Sequence, residues 1–262
     1  MNFFKQIYTN KNMLWSLIKS DFKNKYLGSH LGIVWAFIQP CIMIAIYWFV
    51  FTHGFRAAAI QNVPFLDWLL AGLTPWFLFN DGISAGARSI VDQSFLVKKI
   101  VFEVKLLPII KIGSAILVNI AFWLFLIICL LLSGFYPHLI WLQLIYYFIC
   151  IIALTLSLSL LFCAIMPFML DIGQLVSIFL QIMFWVTPIF WNYSILPAKY
   201  SWIYKLNPIA YIVNGVRDTV LFNQPFWVNY KSMIYFWIIA LFLFFIGNKI
   251  FTKLRPHFAD VL

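Results

Sequence analysis

Six long apolar stretches alternate with shorter polar joints along the chain, at Leu31–Phe51, Phe65–Ala87, Leu106–Leu132, Leu139–Met166, Ile172–Trp191 and Lys231–Phe251. Each is at least about as long as the roughly 20 residues a helix needs to cross a hydrocarbon core of about 30 Å. In lipid the backbone must satisfy its own hydrogen bonds, so the stretches predict six transmembrane α-helices. Little chain remains outside them. Residues 1–262 therefore read as a single all-α integral membrane domain.

Two joints carry helical patterns of their own. In residues 1–30, Leu14, Leu17, Ile18 and Phe22 recur at helical spacing, while Lys11, Lys19, Lys23 and Lys25 take other positions. Such a basic amphipathic helix lies at the surface of an anionic leaflet, either as a lipid anchor or as part of a gate. Gly28, Gly32 and the Ser29-His30 pair then break it ahead of the first span. The joint over residues 192–228 is strongly apolar despite Pro197, Pro208 and Pro225. Asn207-Pro208 reads as an N-cap followed by proline at the first helical position. The helix it starts runs through Ile209, Tyr211, Ile212, Val213, Val216 and Val220 to Phe222. At about 14 residues it is too short to span, so it is expected to be re-entrant or interfacial. Arg217, near its end, is expected to reach the last helix carbonyls or the lipid headgroups.

The joint over residues 88–105 is mixed in character. Arg88, Asp92, Lys98 and Lys99 surround an apolar centre of Phe95, Leu96 and Val97. Apolar anchors inside a polar rim suit docking onto a soluble partner, and dipping into the membrane is the alternative.

Composition supports the membrane reading: 64% of residues are hydrophobic and 10% charged. The net charge of +10 does not imply nucleic acid, because the basic residues flank apolar spans rather than form a soluble patch. Thirteen of the 18 Lys and Arg residues fall on one side of the expected membrane. By the positive-inside rule that side is cytoplasmic and holds both termini. Cys41, Cys129, Cys150 and Cys163 all fall within spans, without a CxxC pair or metal-ligand spacing, and read as small core hydrophobes.

Catalytic machinery is not evident. No G-x-x-x-x-G-K-[ST] loop is present to cradle ATP phosphates, and the eight acidic residues are scattered. A membrane-embedded transferase would need a charged catalytic pair at one face, and none stands out. Asp81, beside Asn80 in the second span, is costly in lipid and is expected to face protein or water. Gly82 and Gly86 form a G-x-x-x-G pair that permits close helix packing. Aromatic residues make up 20% of the chain. Among those within spans, Tyr47, Trp48, Trp76, Phe184 and Trp185 are candidates to stack on sugar rings, with lipid-facing filler as the alternative. Asp81, Asn119 and Gln181 are candidate hydrating groups.

The run LWSLIKSDFKNKYLGSHLGIVWAFIQP (14–40) resembles the opening of ABC-2 type polysaccharide exporter permeases. FLVKKIVFEVKLLPII (95–110), DIGQLVSIFLQIMFWVTPIFW (171–191), ILPAKYSWIYKLNPIAYIVNGVRDTVL (195–221) and the ending KLRPHFADVL follow in the same order. The resemblance covers essentially the whole chain and is nearest to O-antigen and capsule export permeases, with teichoic-acid export a near relative. It implies a homodimer in a bacterial cytoplasmic (inner) membrane, each subunit docked to a separate ATPase that holds the ATP and Mg. The exported substrate would be a lipid-linked polysaccharide passing through a channel at the dimer axis. The resemblance further implies coupling to the ATPase through Arg88, Asp92, Phe95, Leu96, Lys98 and Lys99. It implies an entrance helix at Met13–Lys25 and external gate helices near Pro197–Tyr204 and Pro208–Phe222, the latter with Asn207, Pro208, Tyr211 and Arg217. A small-molecule exporter would share the topology.

Overall fold

A computed structural model describes residues 9–26, 32–55, 60, 62–97, 103–195 and 197–262. The described residues are helical throughout, apart from turns, extended joints and a single bridge between Ile60 and Val63. The helices are α1 (Lys11–Tyr26), α2 (Trp35–Phe49), α3 (Phe65–Asp92), α4 (Ser94–Val97), α5 (Leu107–Leu132), α6 (Leu144–Ile165), α7 (Ile172–Val186), α8 (Ser201–Lys205), α9 (Pro208–Val220), α10 (Tyr230–Leu254) and α11 (Phe258–Val261).

All six apolar stretches form helices, and among the described residues four helical runs are long and apolar enough to cross a membrane: Gly32–Gly54, Val104–Leu132, Leu139–Ile165 and Phe226–Val261. The other two stretches depart from that pattern in different ways. Helix α3 has 28 residues, ample length, but carries Asp67, Asp81, Arg88 and Asp92. Helix α7 has only 15 residues and stops at Val186, five positions earlier than the apolar run suggested. The cause is Pro188, whose ring disfavours helical geometry at the preceding residue, and Thr187 is indeed extended at ψ 133°.

Helix α3 is the hub of the bundle. It packs along α5 and α6, and also touches α7 and α9. That centrality explains how its polar residues are tolerated, since most of them meet protein rather than lipid. Asp67 accepts a hydrogen bond from Ser133 Oγ at 2.9 Å, and Thr74 Oγ1 donates back to the Leu70 carbonyl at 2.8 Å. Gly82 and Gly86 face Thr155 and Ser159 of α6 so closely that a Cβ at either position would collide. Ser159 Oγ also donates to the Gly82 carbonyl at 3.4 Å. The G-x-x-x-G pair thus seats α3 against two small hydroxyl residues one turn apart on α6, a packing mode membrane helices favour.

Helix α1 lies against α5. Leu14 is buried, with Leu17 and Ile18 packed beside it, and Gly113 leaves room for the Ile18 side chain. An ion pair between Asp21 and Lys111, 2.7 Å, holds the two helices together. Trp15 on the opposite face is 50% exposed, consistent with an amphipathic element. The break expected at residues 28–30 lies outside the described residues, while Gly32 takes a φ of +51°, a left-handed value glycine adopts readily.

Candidate functional site

A cavity of about 700 Å³ opens between α2, α3 and α7, with the end of α1 at its rim. Its walls follow from helical periodicity, because residues four apart share a face. Helix α2 contributes Gln39, Met43 and Tyr47; α3 contributes Trp76, Asn80 and Ser84; α7 contributes Ser177, Gln181 and Trp185. Lys25 of α1, Trp35, Phe77, Asp81 and Phe184 are among the other residues of the mixed lining.

Part of the wall is a continuous aromatic cluster. The Trp76 and Phe184 rings lie 5.4 Å apart, Phe184 and Trp185 meet edge to face at 5.6 Å, and Tyr47 meets Phe190 edge to face at 4.8 Å. Tilted and edge-to-face contacts at these separations are favourable for π systems. The polar part centres on Asp81. Asn80 Nδ2 lies 3.4 Å from Asp81 Oδ1, and Asn119 Nδ2 of α5 lies 3.3 Å from Asp81 Oδ2. Asn119 is fully buried behind the wall and also donates to the Ala115 carbonyl at 3.1 Å.

Four of the five aromatic candidates therefore share one cavity: Tyr47, Trp76, Phe184 and Trp185. Trp48 does not. It lines a separate hollow of about 290 Å³ with Cys41, Ile44, Ala45, Leu66 and Phe125, and its ring meets His53 edge to face at 5.6 Å. Adjacent residues on a helix point about 100° apart, which separates Trp48 from Tyr47.

Helix α9 carries the residues singled out as a gate, and it is embedded against α3, α6 and α10. Asn207 caps it as the sequence predicts, accepting from Ile209 N at 3.2 Å, with Pro208 in the first turn. The Asn207 amide also donates to Thr187 Oγ1 at 2.9 Å, tying the helix start to the end of α7. Tyr211 lies 3.1 Å, oxygen to oxygen, from Tyr146, whose hydroxyl also accepts from Trp237 Nε1 at 3.0 Å.

Arg217 takes neither of the expected partners. It is 1% exposed, and its guanidinium donates to the Trp68 carbonyl from Nε and Nη2, each at 3.2 Å. It also donates to the Pro188 carbonyl, and Nη2 reaches the Ile189 carbonyl at 2.6 Å. The sequence offered no distance to these acceptors, which lie 28 to 149 positions away. Gly72 went unnoticed for the same reason: a Cβ there would lie 2.5 Å from Arg217 Nη2. Gln143 was missed as well. Its amide donates to Thr219 Oγ1 at 2.7 Å and to the Gln224 carbonyl at 2.6 Å, and its Oε1 accepts from Phe226 N at 3.0 Å.

In the joint expected to couple to a partner, Arg88 and Asp92 belong to the last turns of α3 rather than to a loop. They approach to 3.6 Å, one helical turn apart, and the burial of Ser89 and Ile90 between them explains why the helix continues. Phe95 on α4 is 61% exposed, whereas Leu96 packs into a small core that includes Phe251 and Phe258. Lys98 and Lys99 lie outside the described residues.

The helical bundle and its apolar surface define a membrane protein, and the chain belongs to the ABC-2 type transporter family, whose pattern matches residues 12–221. Over nearly its full length it is similar to O-antigen export system permease proteins named RfbA. One from Klebsiella pneumoniae is 28% identical over 256 residues, covering 96% of this chain and 95% of the relative. Another, from Myxococcus xanthus, is 27% identical over 265 residues, covering 98% and 97%.

Proposed function

We propose that this chain is the transmembrane subunit of an ATP-driven exporter that carries a lipid-linked polysaccharide, such as an O-antigen, across the cytoplasmic membrane. The observation that carries the reading is the cavity in which Tyr47, Trp76, Phe184 and Trp185 accompany Asp81, Asn80 and Gln181. Aromatic faces stack on the C–H faces of sugars without fixing one register, and carboxylates and amides exchange hydrogen bonds with hydroxyls. Similarity along nearly the whole chain to O-antigen export permeases supports the same substrate class.

In this reading α2, α3, α5, α6, α7 with its following turn, and α10 are the six membrane crossings, and both termini are cytoplasmic. Two copies place their cavities side by side so that a channel forms on the dimer axis. A separate ABC ATPase, which holds ATP and Mg, docks on residues 88–99 with Phe95 as an anchor. Nucleotide-driven movement of that joint reaches the cavity directly, because Arg88 and Asp92 lie on the same helix as Trp76 and Asp81. Helices α8 and α9 form the external gate, and α1 borders the cytoplasmic entrance.

Reconstitution tests the assignment. Vesicles holding this chain with its ABC ATPase should translocate a fluorescent lipid-linked glycan on addition of ATP, and vesicles lacking either chain should not. ATP turnover by the purified chain alone, or ATP-independent glycan movement, would refute it.

A further inference from the structure

The cavity lining has a charge arrangement that bears on which glycans it takes. Among the described lining residues there is one anion, Asp81, and one cation, Lys25, so the lining carries no net positive charge. A repeating polyanion would need surplus cations along its path, and the described lining provides none.

The Asp81 carboxylate is also incompletely used by the protein. Its two oxygens together offer about four lone-pair directions. Asn80 and Asn119 each approach one oxygen, at 3.4 and 3.3 Å, long for hydrogen bonds whose usual range ends near 3.2 Å. Asp81 is only partly covered and forms part of the cavity wall, so its remaining lone pairs are open to hydroxyl donors. Asn119, fully buried, holds the carboxylate from behind. Phe77, which also lines the cavity, lies one turn before Asp81 on the same face of α3 and sets an aromatic ring on the acceptor's side of the wall.

We propose that Asp81, positioned by Asn80 and Asn119 and balanced by Lys25, is a specificity residue that accepts hydrogen bonds from sugar hydroxyls and suits this cavity to an uncharged polysaccharide rather than to a polymer of phosphates or uronates. This rests on the polysaccharide-export reading above and narrows its substrate class.

The test uses the full-length chain with its partner ATPase in lipid nanodiscs, and two probes of equal length: an uncharged oligosaccharide and a glycerol-phosphate oligomer. Quenching of the fluorescence of Trp35, Trp76 and Trp185 reports binding, with replacement of Trp76 and Trp185 by Phe confirming the origin of the signal. The wild-type protein should bind the uncharged probe at least about tenfold more tightly than the anionic one. Asp81→Asn should weaken the uncharged probe by about tenfold, the loss expected for one hydrogen bond to a charged group. It should also strengthen the anionic probe, because a negative charge leaves the cavity lining. Equal or tighter wild-type binding of the anionic probe overturns the proposal, and that comparison holds even where the variant does not fold. A folded Asp81→Asn protein that binds both probes as the wild type does also overturns it while leaving the export reading intact. Binding of neither probe overturns the export reading and this proposal together.

Discussion

The guanidinium of Arg217 lies 4.0 Å from the centroid of the Trp68 ring while donating to the carbonyl of the same residue. One residue of α3 thus grips a residue of α9 through both its π face and its backbone. With the Pro188 and Ile189 carbonyls, the arrangement joins three separate segments around one buried cation. A cation this deep is tolerable only where its donors are satisfied, and guanidinium presents five of them in a fixed fork.

Arg217→Lys should therefore be far from conservative. An ammonium cannot face carbonyls from three directions at the reach of a guanidinium, and hydrogen bonds to charged groups are worth roughly 1.5–3 kcal/mol each. A destabilisation on the order of 3 kcal/mol is expected, read as a lowered thermal midpoint in detergent. Gly72→Ala should destabilise through the same contact, and the double variant Gly72→Ala with Arg217→Ala should lose less than the two single losses added together. Full additivity would show that Gly72 matters for another reason.

The seam between α3 and α6 makes a second prediction. Replacing Gly82 or Gly86 by Leu forces bulk against Thr155 or Ser159, and overpacking of this kind costs about 1–3 kcal/mol. Because α3 also lines the cavity, either variant should reduce transport and thermal stability together. Normal stability with lost transport would move these glycines from packing to substrate passage.

Phe95 offers a cleaner test of coupling. It is exposed, so Phe95→Asp should leave the thermal midpoint unchanged. Placing a charge in a docking interface costs several kcal/mol, so the variant should lose the ATPase on gel filtration or hydrolyse ATP without export. A variant that exports normally would favour the membrane-dipping alternative for this joint.

Thiol labelling tests the gate. In a background lacking Cys41, Cys129, Cys150 and Cys163, cysteines at Asn214 and Asp218 lie on the partly exposed face of α9, and those at Ile212 and Val216 on its buried face. Membrane-impermeant reagents should reach the first pair and spare the second, with reactivity at Ile212 and Val216 rising when the transporter is trapped open. Uniform fast labelling in every state would show a solvated loop.

Much of this architecture was written in local pattern. The apolar runs, the Asn207-Pro208 cap, helix α1 and the small-residue seam all depend on residues within a few positions of one another. The clustering of Tyr47, Trp76, Phe184 and Trp185 was less accessible, since each had only a helical phase and no partner, and Trp48 shows how one step of phase redirects a ring. The Arg217 cage was illegible because its acceptors are backbone carbonyls, which carry no residue-type signature. An arginine in an apolar helix with only Asp218 beside it was the available clue, and local pattern does not separate a buried cage from the expected reach to the helix end or the headgroups.

The hydrogen bond between Asn207 and Thr187 closes residues 187–207 at the neck. Inside that ring of chain, Tyr193 stacks on Tyr204 at 5.4 Å. A loop pinned at its base decouples its length from the geometry of the helices it joins, and doubling the length of a flexible loop costs only about 0.6 kcal/mol in closure entropy. The exposed part of that ring, from residue 193 onward, can consequently lengthen, shorten or change composition while Pro188, Ile189, α7 and α9 keep their places. In the export reading that places this segment outside the cell, change is thereby confined to an appendage, and the cavity between α2, α3 and α7 is spared it.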